Sequence, residues 1–226
     1  MTLTKSELEK LQPLLLLLTA IFSGVLICGV ALGSKLIGIA GVIASASALT
    51  YPVTFLITDT VAEIWGKDHA RRLVINGFFV LVAGFVIIQI ILLIPGSDVW
   101  KNEEGFNETF GLSLRLILAG TIAYLISQVH DVWAFHFWKK LTKGKHLWIR
   151  NNASTSVSQL IDTAIFVGLG FGGIVPFWDV FVGQFILKVS FALCDTPFVY
   201  ILVAYIRKRY NVHAHLESPV DSSLKS

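Results

Sequence analysis

"LQPLLLLLTAIFSGVLICGVAL" runs from Leu11 to Leu32 without one charged side chain. As a helix rising about 1.5 Å per residue, it is long enough to cross the roughly 30 Å hydrocarbon core of a bilayer. Lys5 and Lys10 precede it, as in a secretory signal, but the run exceeds the ~7–15 apolar residues of a signal core. It reads as a retained first membrane helix. Five more apolar stretches follow, and the set predicts spans over about 11–33, 43–65, 71–94, 112–137, 154–174 and 179–206.

Composition points the same way. Of 226 residues, 54% are hydrophobic and 15% charged, with a mean hydropathy of +0.71. A soluble domain carries about 25% charged residues, so this chain lacks the polar material to coat a globule. The expected fold is an all-α integral membrane protein, with six transmembrane helices in one bundle over 1–210. A polar, disordered cytoplasmic tail is expected over 211–226. Cys28 and Cys194 each fall in an apolar run, which excludes a disulfide framework and a zinc site and predicts small core-filling side chains. No cofactor or metal is implied.

The connectors set the orientation. Lys67, Arg71 and Arg72 follow the second span, Lys139, Lys140, Lys143, Lys145 and Arg150 follow the fourth, and Arg207, Lys208 and Arg209 follow the last. The opposite loops are acidic or neutral: 95–111 sets Lys101 beside Asp98, Glu103, Glu104 and Glu108, and 34–42 holds Lys35 alone. Positive loops remain in the cytoplasm, so both termini are expected inside, in a multi-pass protein of the cell inner membrane. Topology also accounts for the basic 138–153 loop without a nucleic-acid partner. Asn107-Glu-Thr and Asn152-Ala-Ser match the glycosylation pattern, a three-residue signal of little weight. Gly29 and Gly33 form a GxxxG step in the first span, and Ala44 and Ala48 a similar small face in the second, both predicted as close helix contacts. Pro52 and Pro197 are expected to bend their spans. "GLGFGG" (Gly168–Gly173) has no preceding strand, so it is not a phosphate loop.

The interior polar residues carry the functional signal. Asp59, Glu63, Asn76, Gln89, Gln128, Asp131, Gln159, Asp162, Gln184, Lys188 and Asp195 all lie within predicted spans. Five of them (Asp59, Asp131, Asp162, Lys188 and Asp195) would together cost roughly 12–18 kcal/mol facing lipid, so they must face one another or a wet cavity. "SQVHDVWAF" (Ser127–Phe135) and "SQLIDTAIF" (Ser158–Phe166) repeat Ser-Gln-x-x-Asp-x-x-x-Phe. In an antiparallel hairpin, each carboxylate then stands level with the other copy's amide, within about 8 Å of the span centres. One composite polar site near the midplane is expected, as in transporters.

At these residues the chain resembles the queuosine precursor transporter family, also called the vitamin uptake transporters, six-helix bacterial and archaeal membrane proteins. The matching stretches are "YPVTFLITDTVAEIWGKDHARRLV" (Tyr51–Val74), "SQVHDVWAFHFWKKL" (Ser127–Leu141), "NNASTSVSQLIDTAIF" (Asn151–Phe166) and "LKVSFALCDTPFVY" (Leu187–Tyr200). The resemblance implies import of 7-cyano-7-deazaguanine or 7-aminomethyl-7-deazaguanine for tRNA modification. Substrate-binding candidates are Asp59, Glu63, Asn76, Gln128, Asp131, Gln159, Asp162, Lys188 and Asp195, with Arg71 and Arg72 in the cytoplasmic basic loop. Carboxylates suit the paired N–H donors of a guanine-like edge. Trp133, Phe135 and Phe166 could stack on the ring, and an acidic cavity would attract a cationic aminomethyl group.

Two readings compete. A substrate-capturing subunit would depend on a separate energy-coupling complex, since no nucleotide motif is present. An intramembrane aspartyl protease would need a pair such as Asp131 and Asp162, but these stand in "HD" and "ID" contexts without Gly-x-Gly-Asp. The expected partners are thus a small deazapurine and the lipid bilayer, with a homo-oligomer or a coupling subunit as further partners and no nucleic acid.

Overall fold

The computed structural model describes residues 4–141 and 147–210; the tail expected over 211–226 lies outside the described residues, as do the side chains of Gln128, Asp131 and Asp195. Six α-helices follow one another among the described residues: α1 (Lys5–Gly33), α2 (Tyr51–Trp65), α3 (Lys67–Leu92), α4 (Glu103–Leu141), α5 (Leu147–Phe171) and α6 (Phe177–Tyr210). The chain is therefore mostly helical. Thr4 starts α1 with a capping box: its hydroxyl accepts from the Glu7 N–H, and the Glu7 carboxylate accepts from the Thr4 N–H. Gly66, at φ +90°, makes the abrupt joint between α2 and α3, a conformation that suits glycine alone.

The second segment departs from expectation. Where a span was predicted from residue 43, Leu36–Ile39 (β1) and Val42–Ser45 (β2) form an antiparallel hairpin, and Ala46–Thr50 a 3-10 turn. Helix begins only at Tyr51. The two-residue hairpin loop places Ala40 at φ +52° and Gly41 at φ +82°, the pair of positive values that a tight hairpin demands. Ala44 and Ala48 are fully buried, but they belong to β2 and the 3-10 turn rather than to a helix-packing face. Pro52 bends nothing: it occupies the first turn of α2, where its missing N–H has no partner to lose.

α6 covers the outer edge of β2. Gly183 lies so close to Ile43 that a side chain would overlap its carbonyl, and the Ser45 N–H donates to Gln184 Oε1 at 3.1 Å. The exposed edge of the hairpin is thus covered by protein, and its backbone donor at Ser45 is satisfied by a side chain. Elsewhere, small residues permit close packing: a Cβ on Gly77 of α3 would sit 2.7 Å from both Phe22 and Leu26 of α1. One apolar cluster joins α1, α2, α3 and α6 around Phe22, Ile57, Val61, Ile64, Trp65 and Leu73. A second joins α4, α5 and α6 around Leu116, Ala123, Phe166, Val167 and Phe171. Arg115 of α4 ties these together, donating to the carbonyls of Leu169 and Gly172 at the end of α5, each at 2.7 Å.

The outward faces are greasy. α1 and α3 are long and apolar enough to cross a membrane, and Leu16, Leu17, Phe79, Ile87 and Ile90 point away from the protein. Such faces suit lipid rather than water. Cys28 and Cys194, expected to fill the core, are free and exposed.

Candidate substrate site

The 3-10 turn and the start of α2 place four polar side chains along one stripe: Thr50, Tyr51, Thr54 and Thr58. Helical spacing of four residues stacks the three threonines on one face. Each donates its hydroxyl proton back to the chain, Thr50 to Ser47 O at 2.7 Å, Thr54 to Tyr51 O at 2.9 Å and Thr58 to Thr54 O at 3.0 Å. Their oxygen lone pairs are left to serve as acceptors.

This stripe lines a cavity of about 480 Å³ among α1, α2, α3 and α4, within the range of small-molecule sites. Its aromatic walls are Phe22 of α1, Tyr51 and Phe55 of α2, Phe78 of α3, Tyr124 of α4 and Phe166 of α5. Gly29 and Gly33, the GxxxG step of α1, line it as well and face Thr50 and Leu116 across close contacts. The cluster containing Ile57, Val61 and Trp65 packs the α2 turns that follow Thr58. A second hollow, about 450 Å³ between α1 and α3, is lined by aliphatic residues and Phe110 and offers no polar anchor.

Behind the cavity wall lies a charge. Lys188 of α6 is fully buried, and its Nζ lies 2.5 Å from Asp162 Oδ2 of α5. The same ammonium sits 4.6 Å from the centroid of the Tyr51 ring and 5.7 Å from that of Phe166, both favourable cation–π contacts. Lys188 and Asp162 do not line the cavity; the two rings stand between. The structure thus brings together two of the predicted polar residues, but with each other.

The remaining candidates are dispersed. Glu63 is largely exposed and is engaged by Arg207 at 2.9 Å. Asp59 and Asn76 are exposed, as are Arg71 and Arg72, and none of these five is among the cavity's lining residues. Gln159 has a buried Oε1 without a hydrogen-bond partner among the described atoms. Gln128, Asp131 and Asp195 have side chains outside the described set, as do Trp133 and Phe135. Where the two repeats meet, His130 Nδ1 lies 3.1 Å from Ser158 Oγ. Tyr51, Thr54, Phe55, Thr58 and Tyr124 were absent from the sequence-based set. The four-residue spacing of Thr50, Thr54 and Thr58 was the signal available for them.

A family profile described as "Putative vitamin uptake transporter" matches residues 45–202. The chain belongs to the vitamin uptake transporter family. It is therefore a membrane transporter and not an enzyme, which removes the protease alternative. The transporter is 30% identical over 170 residues, 74% of each chain, to a Bacillus subtilis protein named "Probable queuosine precursor transporter". A Haemophilus influenzae protein of the same name is 25% identical over 123 residues, 54% of this transporter and 50% of that relative. No solved structure matches it. The profile match begins at Ser45, so it covers the threonine stripe and the ion pair but not the α1 wall of the cavity.

Proposed function

We propose that this transporter imports queuosine precursors, 7-cyano-7-deazaguanine or 7-aminomethyl-7-deazaguanine, across the inner membrane for tRNA modification. In this reading all six helices span the bilayer, both termini are cytoplasmic, and the cavity walled by α1–α4 is where the heterocycle binds. The observation that supports it most is the lining: flat aromatic walls for a planar bicycle, and a row of threonine oxygens to accept the N–H donors of its guanine-like edge. The names of the Bacillus and Haemophilus relatives support the substrate class.

The interior charges are assigned by position. Asp162 and Lys188 brace the wall from behind. Gln128 and Asp131 lie beyond Tyr124 along α4, Gln159 precedes Asp162 on α5, and Asp195 lies two turns past Lys188 on α6. All four therefore belong to the cytoplasmic half of the route, where substrate leaves. Uptake of labelled 7-cyano-7-deazaguanine into liposomes holding the pure protein is the test. Transport by the wild type and its loss in Phe55→Ala, in protein that still elutes as a single species, is the expected result. No uptake, and no restoration of modified tRNA in precursor-deficient cells, contradicts the proposal. Uptake in cells but not in liposomes favours the coupling-dependent subunit instead.

A further inference from the structure

We infer, on the basis that the cavity is the substrate site and the amino end of the chain is cytoplasmic, that the β1–β2 hairpin is the outer gate of the transporter, with Gln184 as the positioning residue that latches it shut. The hairpin follows α1 directly and runs through the 3-10 turn into the cavity lining at Ser47, Thr50 and Tyr51. Ser45 joins these parts. It is fully buried, and its N–H donates to Gln184 Oε1 of α6 at 3.1 Å. Its hydroxyl donates to Gly33 O at the end of α1 at 2.8 Å and, with its one proton so used, accepts from the Ser47 hydroxyl at 2.8 Å. Gly33 and Ser47 both line the cavity, so latch and site share a wall.

The contact is built to part. A two-stranded hairpin with strands of four residues buries too little to hold itself in place, so its position depends on what it rests against. On the α6 side, among the described residues, that is the Gln184 hydrogen bond and the bare backbone of Gly183 against Ile43. Glycine there gives close contact without interlocking side chains. Gln184 itself is fully buried, and the backbone donor of Ser45 fixes which end of its amide is the oxygen. Its Nε2 therefore faces away, and it has no partner among the described atoms. Two donors left unpaired in the interior make the shut arrangement costly. Moving the hairpin off α6 lets water reach both ends of the amide, so the open arrangement recovers what the shut one forgoes and the two lie close in energy. A ligand that engages the Ser47 hydroxyl competes with Ser45 for it, which links occupancy of the cavity to release of the latch.

The test uses the full-length protein with the exposed Cys28 and Cys194 changed to serine. In liposomes, oxidation of the Ser45→Cys, Gln184→Cys double variant is expected to join the hairpin to α6 and abolish uptake of labelled 7-cyano-7-deazaguanine, and reduction to restore it. Continued uptake after complete cross-linking overturns the inference, and so does failure of the pair to cross-link. A second measurement does not depend on transport. Gly120→Cys places a thiol in the cavity lining, where a Cβ meets only the Phe166 ring at 3.8 Å. In intact spheroplasts, its rate of reaction with a membrane-impermeant thiol reagent reports how often the outer side opens. Gln184→Met, similar in bulk but without the acceptor, is expected to speed that reaction about tenfold, the size of one hydrogen bond. A merely structural role would lower Tm and leave the labelling rate of the folded protein where it was. Equal rates with and without Gln184→Met overturn the gate while leaving transport of queuosine precursors intact. Absence of uptake by the protein with its native cysteines overturns the transport reading itself, and the labelling rates then still decide whether the hairpin closes the hollow.

Discussion

Among the described residues, two ion pairs join α6 to neighbouring helices, and their surroundings are opposite. Lys188 and Asp162 meet at 2.5 Å with the amine fully buried, whereas Arg207 and Glu63 meet at 2.9 Å with side chains 29% and 56% exposed. The exposed pair competes with water and holds long side chains still for little Coulombic gain. The buried pair is costly to assemble and costlier to break, since either partner left alone is an unpaired charge in a low dielectric. It also has additional neighbours in the rings of Tyr51 and Phe166, which form the cavity wall. Similar chemistry therefore serves two purposes: at the exposed surface it trims a helix contact, and in the interior it backs the wall of the candidate site.

The largest effect should come from splitting the buried pair. Lys188→Met alone is expected to destabilise the protein by about 3–5 kcal/mol, seen as a large fall in Tm in detergent, and adding Asp162→Asn should restore most of the loss. Equal Tm values for the single and double variants would break the contrast. Next is Gly183→Ala, five residues earlier on α6. Its new Cβ would overlap Ile43, forcing the hairpin away from α6 at a cost of about 1–3 kcal/mol. An unchanged Tm would show that the hairpin does not rest on α6. Thr54→Val removes one acceptor from the cavity but keeps its shape, and should raise the KM for uptake about tenfold without altering Tm. The smallest effect belongs to the exposed pair. Arg207→Gln should lower stability by less than about 1 kcal/mol, and high salt should mimic it; a larger loss would make the two pairs equivalent after all.

Local patterns carried most of the fold. Runs such as Leu11–Leu32 announce helices because length and apolarity are properties of the segment itself. "LIGIAGVIAS" (Leu36–Ser45) is just as apolar, and hydropathy read 34–42 as a loop and merged Ile43–Ser45 with the following helix. Apolar runs of this length do not separate strand from helix. Pro52 was the available clue, since proline marks first turns more often than it bends interiors. The site was legible only in part. Buried charge is conspicuous in sequence, which drew attention to Asp162 and Lys188, but their pairing across 26 residues is a tertiary fact. Threonine and phenylalanine carry no such penalty in a membrane helix, so Thr54, Phe55 and Thr58 left little trace beyond their spacing. Glu63 illustrates the opposite error: it shares a helix face with Asp59, yet it lies at the surface beside Arg207.

The most direct measurement is an experimental structure of the full-length protein in a nanodisc saturated with 7-cyano-7-deazaguanine. Ligand density lying flat against Tyr51 and Phe55, with ring nitrogens within hydrogen-bond distance of the Thr54 and Thr58 oxygens, is the predicted result. Density lodged elsewhere, with this hollow empty or filled by lipid, would contradict the assignment of the substrate site.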